Sequence, residues 1–206
     1  MILRRTVLVL LVLTAVISCG RRQSAPPAIP AHLVQLCGDP GLAGRVLPAI
    51  EVSGSACGIS QPVEVHFVSG VALREKAILN CDTARTLRQW VDEGAQPSVR
   101  SLRARITSLR VVSHYACRTR NSQRGARVSE HAKGNAIDIA GFTLDNGDTV
   151  SVLEHWRSNK YGPVLRGMYS AACGPFGTTL GPDGDRFHQD HMHFDTASYR
   201  SGAYCR

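Results

Sequence analysis

The sequence is short of long apolar stretches. The run near its start, Thr6 to Ile17, holds 12 residues, where roughly 20 are needed to cross a bilayer. It has seven cysteines but no Cys-x-x-Cys pair, which argues against thiolate zinc sites. It carries no internal repeat, so solenoid and array folds are excluded. Lys and Arg outnumber Asp and Glu by 24 to 16, yet the arginines are scattered. A scattered excess makes a solvated basic surface as good a reading as a polyanion footprint.

What is present begins with an export signal. Arg4 and Arg5 form a basic segment before the Thr6 to Ile17 run, and no charged face interrupts that run, which suits a secretory signal. Val16-Ile17-Ser18-Cys19-Gly20 resembles a bacterial lipoprotein box, which implies cleavage before Cys19 and a lipid on it. Residues 1–18 are then a signal peptide, and 19–32, Pro/Ala/Ser-rich, a flexible tether. Gly20 in place of an aspartate implies an outer-membrane destination, with the protein lipid-anchored in the periplasm. Export leaves nucleic acid out as a partner. Without Arg4 and Arg5, 22 basic residues face 16 acids, a balance near +6 that could attract anionic lipid or the carboxylate-rich cell-wall polymer.

Assigning Cys19 to a lipid leaves Cys37, Cys57, Cys81, Cys117, Cys173 and Cys205. In an oxidising compartment these should form three disulfides. Six cysteines allow 15 pairings, and the expectation is sequential: Cys37 with Cys57, Cys81 with Cys117, Cys173 with Cys205.

Residues 33–206 are a normal size for one domain. Glu64 to Val68 alternates with period two and predicts a strand. Asp82 to Glu93 predicts a helix with Asp82 as N-cap, Ala84, Leu87, Trp90 and Val91 on one face, and Gly94 as its stop. Ile106 to Tyr115 reads as a strand. Ala136 to Leu144 and Thr149 to Leu153 read as strands around a turn at Asp145 to Asp148, where Asn146-Gly147 is a hairpin signal. Pro163 to Cys173 predicts a helix and His191 to Asp195 a short strand. The fold class is α+β, a single domain with a mainly antiparallel sheet and flanking helices, stapled by disulfides.

Two segments carry chemistry: Ser129-Glu130-His131-Ala132-Lys133-Gly134-Asn135-Ala136-Ile137-Asp138-Ile139 and His188-Gln189-Asp190-His191-Met192-His193-Phe194-Asp195. In a strand, Ile137 and Ile139 face the core and Asp138 the other side, between small Ala136 and Ala140. Gly134 lets the chain turn so that His131 and Asp138 converge. His191, His193 and Asp195 share one face, Met192 and Phe194 the other. Two histidines and a carboxylate, with a fourth position for water, is a catalytic zinc pattern; calcium or magnesium would want more oxygen ligands.

Ser-x-His-x-x-Gly-x-Ala-x-Asp with a late His-x-His resembles the zinc peptidases that group D-alanyl-D-alanine carboxypeptidases, lysostaphin-type endopeptidases and the hedgehog fold. More narrowly, Tyr115-x-Cys117-Arg118, Ser129-Glu130-His131-Ala132, Asn135 to Phe142, Leu180-Gly181-Pro182 and His188-x-Asp190-His191-x-His193-x-Asp195 resemble the bacterial extensin-like C-terminal family. That resemblance spans about Cys37 to Cys205. It implies zinc ligands His131, Asp138 and His193, and a general base either two or three residues before the last ligand, where His191 and Asp190 both stand. Residues two apart in a strand share a face about 6.6–6.8 Å apart, which favours His191. Arg118 is expected to hold a substrate carboxylate or carbonyl, or else to be a surface arginine. Ser129 is expected to bond substrate or to cap the turn before His131. Asp195 could support a histidine ring, and His32, His66, His114 and His155 read as structural or surface. The implied function is a zinc-dependent peptidoglycan peptidase acting on stem peptides or cross-links. The alternative is a cell-wall-binding scaffold that keeps the fold without the chemistry.

Overall fold

The computed structural model describes residues 27–206. The expected signal peptide, Cys19 and the first part of the tether lie outside the described residues. In chain order the elements are β1 (Val34–Leu36), β2 (Asp39–Val46), β3 (Ile50–Glu51), β4 (Gly58–Ile59), β5 (Val63–Val68), β6 (Val71–Leu79), α1 (Cys81–Trp90), α2 (Gln96–Ser98), β7 (Ile106–Ser113), β8 (Ala136–Leu144), β9 (Thr149–Ser151), α3 (Val152–His155), α4 (Gly162–Ala172), β10 (Thr178–Leu180), β11 (Met192–Asp195) and β12 (Tyr204–Cys205). Among the described residues no helix is long and apolar enough to cross a membrane.

Ten strands make one sheet in the order β1-β2-β5-β6-β7-β8-β11-β10-β12, with β9 on β8; β3 and β4 pair apart from it. Most neighbours are antiparallel, as expected. The exceptions are β6 with β7 and β10 with β12. Parallel neighbours need a crossover rather than a hairpin, and α1 and α2 lie in the segment that supplies it between β6 and β7.

The helical segment departs from expectation at both ends. Its N-cap is Asn80, whose Oδ1 accepts from Thr83 N at 2.8 Å. Asp82 sits inside the first turn instead, where its charge suits the helix dipole. Gly94 does not stop the helix. The chain continues through a π-turn, Val91–Ala95, into α2. Glycine is needed there for another reason: a Cβ on it would lie 2.8 Å from the Ala171 Cβ of α4. The expected strand 149–153 is also shorter, because the Ser151 side chain accepts from Glu154 N and starts α3.

Three disulfides form, but two pairings differ from the sequential expectation. Cys37 joins Cys81, and Cys57 joins Cys117; Cys173 joins Cys205 as expected. Sheet topology is the reason. Cys37 sits in the β1–β2 turn beside the start of α1, where its carbonyl also accepts from Arg85 Nη2 at 2.6 Å. Cys57, just before β4, meets the segment leaving β7.

The core is built from the inward faces of these elements and from one aromatic group. Phe194 of β11 lies 5.1 Å between ring centroids from Trp90 of α1 and the same distance from Phe176. Trp90 Nε1 donates to the Met168 carbonyl at 2.9 Å, so its polar edge is satisfied while the ring is buried. Met192 and Phe194 enter this core, which turns His193 and Asp195 to the opposite side of β11.

Candidate metal centre

The pairing of β8 with β11 puts Asp138 directly across from His193. Facing residues on neighbouring strands have their side chains on one side of the sheet and within contact. The match is set by Ile137 and Ile139 on β8 and by Met192 and Phe194 on β11, all four in the core. A slip of one residue in either strand would turn its donor into the core and its apolar side chains towards the cleft.

His131 arrives from a short 3₁₀ turn, Glu130–Lys133, which ends at Gly134 with φ +69°. A Cβ on Gly134 would run into Ile59, so the left-handed turn and the close packing both require glycine. Ser129 caps this turn and is buried; its side chain accepts from His131 N at 3.4 Å.

The three donors meet. His193 Nδ1 lies 2.8 Å from Asp138 Oδ1, and His131 Nε2 lies 3.2 Å from both Asp138 Oδ2 and His193 Nδ1. All three residues are buried. Donors at about 2.0–2.2 Å from a tetrahedral zinc are about 3.3–3.6 Å apart, so the set fits three corners of such a site with a small expansion. The remaining ring nitrogens are tied down. His131 Nδ1 donates to the His114 carbonyl at 2.7 Å, and His193 Nε2 donates to Asp195 Oδ2 at 3.0 Å. Each bond fixes the tautomer that leaves the inward nitrogen with a lone pair for a metal. The inner donors are two imidazole nitrogens and a carboxylate, a set suited to zinc rather than to calcium or magnesium.

The electrostatics follow from this crowding. Burial alone would raise the Asp138 pKa, but hydrogen bonds from His131 and His193 outweigh it and hold the carboxyl well below its ordinary range. Burial would likewise lower His193, but Asp138 and Asp195 outweigh that and push it up to about 9.

The donors line a cleft of about 540 Å³ together with Arg118, Ser129, His188 and His191. His191 Nε2 lies 3.7 Å from Asp138 Oδ2, and its Nδ1 bonds Asp190 Oδ1 at 2.7 Å. Asp190 is 64% exposed at the side chain and does not line the cleft. β11 begins at Met192, so His191 reaches the site from just outside the strand. Arg118 is half-buried at the cleft wall, with Nη1 donating to the Thr119 carbonyl at 3.4 Å. His188 carried no role in the sequence reading. It is buried, with Nδ1 bonded to Asp185 Oδ1 at 2.7 Å and its ring against those of His191 and His193. Burial lowers its pKa, against the pull of Asp185. The Asp185-x-x-His188 spacing was the available signal. The cleft residues Phe187, Tyr199 and Tyr204 had none, because their segments share no periodicity.

The sequence model of a family described as "Extensin-like protein C-terminus" matches residues 42–206. No curated protein and no solved structure matches the chain.

Proposed function

The chain belongs to the extensin-like C-terminal family, and from that membership and the buried donor set we propose a zinc-dependent peptidase that hydrolyses a peptide bond in peptidoglycan stem peptides or cross-links. The observation that carries this reading is the convergence of His131 Nε2, Asp138 and His193 Nδ1, with their outer nitrogens oriented by His114 and Asp195. The wider kinship with D-alanyl-D-alanine carboxypeptidases, lysostaphin-type enzymes and the hedgehog fold rests on the spacing of those residues.

Zinc held by His131, Asp138 and His193 would supply Lewis acidity, polarising a carbonyl and acidifying water. The protein's own groups do the rest. Asp190 accepts from His191 Nδ1, which leaves Nε2 free to take a proton beside Asp138. His191 is therefore the base and Asp190 the group that orients it. Arg118, at the cleft wall, meets a carboxylate or carbonyl of the bound peptide. Ser129 is engaged in capping the His131 turn, so its part is to position that ligand. The same reading puts the protein in the periplasm, held at the outer membrane through lipid on Cys19, with peptidoglycan as its partner.

The test is digestion of purified sacculi and free muropeptides with the protein plus zinc, with products identified by mass spectrometry. New peptide termini that vanish with chelator and with His131→Ala support the peptidase. Absence of any product, with sacculi still bound, leaves the non-catalytic cell-wall-binding protein as the reading.

A further inference from the structure

The chain has two tryptophans, five tyrosines and five phenylalanines, all within the described residues. Of these, only Phe187, Tyr199 and Tyr204 are exposed, at 39%, 40% and 48%. All three line the cleft of the donor set. They come from separate segments: the loop before β11, the stretch after it, and β12. Each ring has a neighbour that holds it. Arg186 lies over the Phe187 ring at 4.9 Å, Tyr199 OH is 3.2 Å from Thr178 Oγ1, and Arg206 Nη1 donates to Tyr204 OH at 3.3 Å. Oriented, solvent-facing aromatic rings gathered at one place mark a contact surface rather than chance exposure.

The charge in the same cleft is unevenly compensated. Its acids are all engaged: Glu130 with Lys133 and Asn135, Asp138 with His131 and His193, Asp185 with His188, and Asp195 with His193. Arg118 and Arg120 also line it, and among the described residues neither takes part in an ion pair. The cleft cations without an ion-pair partner are therefore these two arginines. These arginines stand on the loop that follows β7, whereas Tyr204 belongs to β12. In sheet order the donor strands β8 and β11 lie between the two.

We infer that the cleft recognises a glycopeptide, with a sugar ring seated on Phe187, Tyr199 and Tyr204 and a carboxylate of the attached peptide on Arg118 and Arg120. A sugar presents a flat C–H face to an aromatic ring and hydroxyl edges to polar neighbours, and such neighbours are present in Asn121, Ser122 and Thr178. An apolar peptide side chain would call for an enclosed pocket instead. This inference rests on the peptidoglycan reading above and adds that the glycan is bound along with the stem.

Affinity tests it, without need of turnover. Calorimetry on the full chain, in a His191→Ala background so that ligands survive, uses three probes: a stem peptide, the same peptide on an N-acetylated hexosamine disaccharide, and an N-acetylglucosamine tetramer. The disaccharide-peptide should bind about tenfold more tightly than the free peptide. Tyr199→Ala and Tyr204→Ala should each erase most of that gain and leave free-peptide affinity unchanged, while Tyr204→Phe, which keeps the ring, retains it. Arg120→Ala should weaken both peptide probes equally and spare the tetramer. Equal affinity for the two peptide probes overturns the inference. So does a loss of free-peptide binding in the tyrosine variants as large as the glycopeptide loss, since the rings would then hold a peptide side chain. A glycopeptide preference in a protein that digests no sacculi would sink the peptidase and leave this inference standing; digestion without that preference would do the reverse.

Discussion

Raising the pH from 7 to 9 should tighten zinc binding about fiftyfold. The perturbation acts on one proton. His193 Nδ1 is both a candidate zinc donor and the atom facing Asp138, and its pKa is pushed up to about 9 because Asp138 and Asp195 outweigh the effect of burial. A group with a raised pKa holds its proton at pH 7, so zinc has to displace it. Two units of protonation at pH 7 cost about 3 kcal/mol of apparent affinity. The apparent Kd should therefore fall about tenfold per pH unit from 7 towards 9 and level off above that. Competition with a chromophoric chelator of known pH behaviour reads the slope, and calorimetry in buffers of different ionisation enthalpy should count about one proton released per zinc at pH 7. In the metal-free protein the sign reverses. The protonated ring stabilises the fold fully below its ordinary value of 6.5 and loses that contribution as pH rises through about 9. Asp195→Asn removes one of the two raising carboxylates, so its zinc affinity should be weaker at pH 9 yet approach wild type as pH falls. A flat affinity between pH 7 and 9 would refute the placement of that proton on His193.

Three further outcomes are expected. His191→Ala should cut hydrolysis of stem peptides by about 10²–10⁴-fold with zinc content unchanged, and Asp190→Asn should do less; the reverse order, measured by product formation, would make Asp190 the base. Peptide mapping under non-reducing conditions should recover Cys57 with Cys117, and the double serine variant should lose about 4 kcal/mol, as a crosslink across 60 residues implies; thermal melts read the loss, and fragments joining Cys37 to Cys57 would contradict the topology. Phe194→Ala should destabilise the fold by about 3–5 kcal/mol and weaken zinc binding in the same melts with and without metal, whereas a change confined to stability would separate the core from the site.

Alternation made the site legible in the sequence. Asp138 between two isoleucines, and His193 between Met192 and Phe194, each announce a strand with one polar face. What alternation cannot supply is which strands are neighbours, and that decides the pairing of Asp138 with His193 and every disulfide. Sequential pairing failed for Cys37 and Cys57 because the α1 crossover and the β3–β4 excursion carry each to a partner far along the chain. Gly94 was misread for a related cause. A glycine after an amphipathic stretch signals a stop when only local geometry is considered, but here it makes room for α4. Asp82 is a residue type that caps helices well, and only the side-chain bond of Asn80 to Thr83 N places the cap two residues earlier. Tyr199 and Tyr204 reach the cleft through the fold of the last strands, which no spacing foretells.

β12 has only two residues, both exposed, and it sits at the end of the sheet. Tyr204 N donates to the Gly177 carbonyl, the adjoining Arg206 bonds Thr179, Gly181 and Tyr169, and the one covalent tie is the Cys173–Cys205 bond to the end of α4. The metal donors on β8 and β11 need no such fastening, since the core holds them. Reducing that one bond should therefore loosen Tyr204 at the cleft while leaving Asp138 and His193 in place on their core-held strands. Ligand recognition, not the donor set, is then the part of the site that depends on the redox state of its surroundings.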